Sequence, residues 1–167
     1  MNLPVGITQE LIDYIQQTYT LRWNGIHGFA HWMRVYENGM RLAQQNAANQ
    51  TVVGLFAFTH DMDRLSDGPD YEHGPRAAER IQYELQGRFI HLDPEELDLL
   101  TQAVRLHTRG LLEADITVQT CWDSDRLDLW RAGIRPSPGR LCTPQARDPE
   151  VIAWAMARSR NNHTASS

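Results

Sequence analysis

Four histidines and two aspartates carry the first chemical signal in this sequence. They are His31, His60, Asp61, His73, His107 and Asp125. His31 shares a helical face with Val35 and Leu42. His60, followed at once by Asp61, ends an apolar run. His73 falls in line with Ala77, Ile81 and Leu85, and His107 with Leu97, Leu100 and Val104. Asp125 stands three residues after Trp122 and four before Leu129. If each apolar stripe faces the core, these side chains converge on one interior region.

That convergence has a chemical consequence. A buried carboxylate alone costs several kcal/mol of desolvation, so Asp61 and Asp125 need positive charge. A divalent cation supplies it and accepts neutral imidazole nitrogens as ligands. The mixed N/O set suits one or two ions of Mn, Fe, Co, Ni or Zn. It suits Mg less well, and an all-thiolate zinc site not at all. Any single histidine on an apolar face is more often a packed core residue. The argument rests on four of them on four helices.

The elements that must position these groups read as helices. Thr8 caps a first helix over QELIDYIQQTY. A second is expected over 28–46 and a third over 50–59, the latter apolar nearly all round and so the buried centre of a bundle. MDRLSDGPDYEHG reads as a loop, followed by a helix over 75–86 with proline in its first turn. Asp93-Pro94-Glu95-Glu96 starts a helix that runs to His107. DITVQTC has β character and could be extended, before a helix over 119–131. GIRPSPGRLCTPQARDP is a long connection of a kind that is often functional or mobile. A last helix covers VIAWAMARS. The fold class expected is all-α, a single helical domain over 1–167 with a disordered tail over 159–167 and the metal site between central helices.

Bulk properties exclude several chemistries. A chain of 167 residues suits one domain. The formal net charge of -5 disfavours a nucleic-acid or anionic-membrane partner. All 16 basic residues are arginines, which removes Schiff-base chemistry and a phosphate-loop lysine. Cys121 and Cys142 form no metal or redox motif. No signal peptide or membrane span is visible, so a cytoplasmic location is expected. Trp32, Trp122 and Trp154 read as core packing. His27 could line a site entrance, His91 reads as surface, and His163 lies in the tail.

The ordered set HGFAHWMRV, FTHDMDR, EHGPRAAERI, AVRLHTRG and WDSDRLDLWR resembles the HD-domain superfamily of metal-dependent phosphohydrolases, over roughly residues 25–132. The resemblance implies a metal held by His31, His60, Asp61 and Asp125. It implies a second ion on His73 and His107, with Asp61 bridging. The doublet is not followed by the glycine-lysine pair of the cyclic-dinucleotide-cleaving members, so that activity is not expected. The implied reaction is metal-assisted hydrolysis of a phosphoester in a nucleotide or other small phosphorylated metabolite. Asp61, Asp63 and Arg64 are the expected catalytic residues, Asp63 orienting the attacking water and Arg64 clamping phosphate. Arg109 and Arg76 stand behind Arg64, with a surface salt bridge the reading adopted for both. Asp115 is a candidate partner for a ligating imidazole. The alternatives are a di-iron oxygenase on the same ligands, a non-catalytic nucleotide- or partner-binding domain, and a purely structural helical protein. Oligomeric state is open at this level.

Overall fold

The computed structural model of the chain describes residues 2–160. Eight α-helices account for most of them: α1 Gln9–Thr18, α2 Phe29–Ala43, α3 Gln50–Thr59, α4 His73–Arg80, α5 Pro94–Leu106, α6 Ile116–Arg126, α7 Pro144–Arg147 and α8 Pro149–Arg160. No strand occurs among the described residues, only an isolated bridge between Gln86 and Ile90. None of the described helices is long and apolar enough to cross a membrane.

Local chemistry starts most of these helices as expected. Thr8 accepts from Leu11 N, and Asn49 accepts from Val52 N to open α3. Asp93 and Glu96 form a reciprocal capping box around Pro94 at the head of α5. Every residue of α3 from Val52 to Thr59 is buried, and the helix packs against α2, α5 and α6. Its apolar circumference is thus a consequence of having neighbours on several sides. Phe56 and Phe58 are fully buried there, each contributing about 1.5–3 kcal/mol by its removal from water.

Three elements differ from the sequence reading. The helix expected over 75–86 begins earlier, at His73, and widens at Ile81–Leu85 into a single π turn. DITVQTC is not extended. Asp115 caps it through Thr117 N, and Thr120 bonds back to Ile116 O, so α6 starts at Ile116. Packing of Val118, Cys121 and Trp122 into the core overrides the β preference of the segment. The helix then stops at Arg126, and a 3₁₀ turn over Leu129–Ala132 ends at Gly133, whose φ of 77° is left-handed.

The connection over 133–148 is pinned rather than loose. It contains a 3₁₀ turn at Pro138–Arg140 and the short α7, capped by Thr143. Leu141 and Ala146 join Leu42, Leu127, Val151 and Ile152 in a second apolar cluster that docks α8 on the bundle. Trp32 and Trp122 are core residues as expected, and His91 is exposed. Trp154 is only half-buried, between the guanidinium groups of Arg41 and Arg158. Ser159 and Arg160, assigned to the tail from sequence, still belong to α8. The rest of that tail, including His163, lies outside the described residues.

One glycine sets the spacing of two helices that carry histidines. A Cβ at Gly74 in α4 would lie 2.7 Å from Val104 O and 3.0 Å from Arg105 O of α5. Backbone oxygens cannot step aside as a flexible side chain can. Gly74→Ala should therefore cost about 1–3 kcal/mol by forcing α4 off α5. Urea denaturation of chelator-treated protein measures this loss.

Candidate metal centre

The six expected ligands arrive from four helices and the turn after α3. His31 comes from the first turn of α2, and His60 and Asp61 from the end of α3. His73 opens α4, His107 caps α5, and Asp125 sits in the last turn of α6. All are buried except Asp125, which is half-buried. They form two triads: His31, His60 and Asp125, and Asp61, His73 and His107.

Each imidazole is oriented by its Nδ1. His31 Nδ1 lies 2.6 Å from Asp128 Oδ2. His60 Nδ1 faces the carbonyls of Phe56 and Ala57, both at 3.1 Å. His107 Nδ1 lies 2.6 Å from Val104 O, and His73 Nδ1 bonds Asp70 O. Carbonyl oxygens accept and cannot donate, and the carboxylate of Asp128 accepts as well. Each Nδ1 therefore carries the hydrogen, and in the neutral ring each Nε2 presents a lone pair.

Those four Nε2 atoms point inward. His31 Nε2 and His60 Nε2 are 3.2 Å apart, and His73 Nε2 and His107 Nε2 are 2.9 Å apart. Asp61 divides its carboxylate between the pairs. Oδ2 is 3.4 Å from His31 and 3.3 Å from His60, while Oδ1 is 3.0 Å from His73 and 3.6 Å from His107. Asp125 Oδ1 closes the first triad at 3.3 and 3.5 Å from His31 and His60. Ligands bonded at about 2.1 Å to one cation stand about 3.0 Å apart at right angles and about 3.4 Å apart at tetrahedral angles. The observed separations fit such polyhedral edges, and the donor set fits a cation.

The electrostatics point the same way. Burial disfavours the charged form of His60, but Asp61 and Asp125 outweigh it and push the pKa up to about 10. Burial likewise opposes ionisation of Asp61 and Asp125, yet the imidazoles, His60 foremost, hold both well below the usual carboxylate range. The pocket attracts positive charge, as protons or as a cation. At pH 8 the cation-free protein thus carries a proton on His60 that a ligating nitrogen must give up. Adding Mn²⁺ to chelator-treated protein at pH 8 should release protons, detected by calorimetry in buffers of different ionisation enthalpy. Binding without proton release would contradict this picture.

Other expected residues are placed elsewhere. Asp63 turns its carboxylate to Arg80 of α4, at 2.5 Å, because that half-buried guanidinium needs an acid. Arg64 Nε lies 3.4 Å from Asp61 Oδ1, and its Nη1 holds the carbonyls of Ser66 and Gly68. Arg76 pairs with Asp70, as the salt-bridge reading has it. Among the described residues Asp115 partners no imidazole, since it is spent as the α6 cap. His27 is buried outside both triads, with Nδ1 against Asp67.

Asp128 is the residue behind the cluster that the sequence motifs did not single out. It is fully buried, holds His31, and receives a two-pronged contact from Arg34, Nε to Oδ1 at 2.8 Å and Nη2 to Oδ2 at 3.0 Å. Its signal was present in SDRLD, three residues after Asp125. Asp128→Ala should strand Arg34 and destabilise the fold by about 3–5 kcal/mol. Asp128→Asn, which keeps the shape, should weaken metal binding by about 10–100-fold. Competitive chelator titration separates the two effects.

No family model matches the sequence, and no curated protein matches it either. A solved structure does: the crystal structure of a predicted HD superfamily hydrolase from an uncultured Thermotogales bacterium. The two are 20% identical, with a TM-score of 0.68 over 94% of this chain and 89% of the other. The all-α bundle, with its histidine–aspartate cluster between central helices, thus shares its fold with that protein.

Proposed function

We propose that this protein is a metal-dependent phosphohydrolase acting on a small phosphorylated metabolite. The observation that carries the proposal is the set of four imidazoles, each with its Nδ1 hydrogen committed and its Nε2 aimed at Asp61. His31, His60, Asp61 and Asp125 would hold one divalent ion. His73, His107 and the other oxygen of Asp61 would hold a second. Such ions supply Lewis acidity toward phosphoryl oxygen and lower the pKa of water.

The chain's own residues do the rest. Asp61 fixes the separation of the two sets and keeps them electrically coupled. Asp128 holds the His31 ring in the orientation its Nε2 needs. Arg64 lies against Asp61 with its Nη2 uncommitted among the described residues, and so can take a phosphoryl oxygen. In the reaction water forms the new P–O bond, the ester P–O bond breaks, and the alcohol leaves with a proton.

Elemental analysis of untreated protein, with turnover of p-nitrophenyl phosphate and a nucleotide panel in added Mn²⁺ or Co²⁺, tests the proposal. Two divalent ions per chain and phosphate release are expected. His73→Ala should leave one ion, and Asp61→Ala should lower turnover by at least about a thousandfold. Two irons with redox-dependent absorption and no phosphatase activity would replace this reading with an oxygenase on the same ligands. Metal without turnover would favour a binding domain, and protein free of metal would end the proposal.

A further inference from the structure

A cleft of about 610 Å³ opens beside the two triads. Its lining includes His107 from one triad and Asp125 from the other, so a molecule in it reaches both. That volume suits a metabolite of nucleotide or sugar-phosphate size. Leu129, Ile134 and Leu141 give it apolar wall, and Arg135 and Arg140 give it charge.

The arginines near the site divide into two kinds. Arg131 bonds Ile26 O and Asp128, and Arg126 bonds the carbonyls of Leu111 and Arg140. These two are committed to the protein, and Arg64, with only its Nη2 free among the described residues, is assigned above to the scissile phosphate. Arg135 and Arg140 are exposed, and no side-chain hydrogen bond or ion pair engages either guanidinium among the described residues. They are nevertheless held in place from behind. Gly133 ends the preceding turn, and Asp123 takes Cys142 N at 2.7 Å and both Thr143 N and Thr143 Oγ1 at 2.8 Å. A wall anchored at both ends presents two unpartnered cations to the space in front of the ligands.

We propose that this cleft binds the far end of the substrate, and that Arg135 and Arg140 select phosphomonoesters carrying a second anionic group, a carboxylate or another phosphate. This rests on the phosphohydrolase reading above. The scissile phosphate goes to the triads, and its charge is met there. The two free arginines line the same cleft as His107 and Asp125, and no acid pairs with either among the described residues. An ester with a neutral tail leaves them in water, whereas an anionic tail gains charge-assisted hydrogen bonds.

Matched probe pairs test the inference. Glucose 6-phosphate and 6-phosphogluconate share the ester and differ in a distal carboxylate. AMP and adenosine 3′,5′-bisphosphate differ in a distal phosphate. In at least one pair the bis-anion should show a KM about tenfold lower. Arg135→Gln/Arg140→Gln should bring that ratio toward one, and both sites are exposed enough for the variant to fold. Equal KM values in both pairs, or a ratio the double variant leaves intact, overturn the inference while the hydrolase reading stands. If no phosphoester turns over, calorimetric titration of the same probes into metal-loaded protein decides it alone. Preferential binding of a bis-anion, lost in the double variant, supports it. Equal binding within each pair, or none, overturns it.

Discussion

One buried carboxylate organises this protein. Asp61 is almost wholly withdrawn from solvent and has an imidazole nitrogen within 3.6 Å on each of four sides. Such a group is tolerable only where positive charge meets it from several directions. The bundle is arranged to deliver that charge. The central helix places Asp61 at its end, and α2, α4 and α5 each bring a histidine to it. The apolar packing of α3 then does two jobs. It stabilises the fold, and it excludes water from the point where the carboxylate sits. Phe56 stacks on the His60 ring at 4.9 Å between centroids, so the core itself fixes the orientation of one imidazole of the cluster.

Much of this was legible in the sequence because it is local or periodic. The caps at Thr8 and Asp93 depend on residues within one turn. The burial of α3 follows from its lack of a polar face. The convergence of the histidines and aspartates followed from stripe positions together with the ordered family-like motifs. What could not be read is long-range or competitive. Nothing near His31 announces that Asp128, 97 residues away, holds its ring. Asp63 and Arg64 look like equals beside the histidine–aspartate doublet. The fold separates them by giving Asp63 a cation on α4 and setting Arg64 against Asp61. Asp115 looked like a partner for an imidazole and became a cap, since a helix start uses a nearby acid before distant groups can.

The absence of lysine takes on meaning in the same light. Arg34 meets Asp128 with two nitrogens on two oxygens, which a lysine ammonium could not do. That contact keeps Asp128 ionised behind His31. Burial opposes its charge, but His31 and Arg34 bring the pKa below the ordinary carboxylate value. The ring, the acid and the guanidinium form a relay of orientation from the interior outward.

The end of α6 concentrates several of these duties within six residues. Asp123 fastens the Cys142–Thr143 segment, Asp125 completes the first triad, Arg126 ties the carbonyls of Leu111 and Arg140, and Asp128 steadies His31. The stretch between Gly133 and Leu141 hangs between two fixed points and supplies no ligand of its own. It therefore behaves as a replaceable cassette. Its length and side chains can be exchanged while the two triads stay as they are, so what the cleft admits can diverge without the cluster having to be rebuilt.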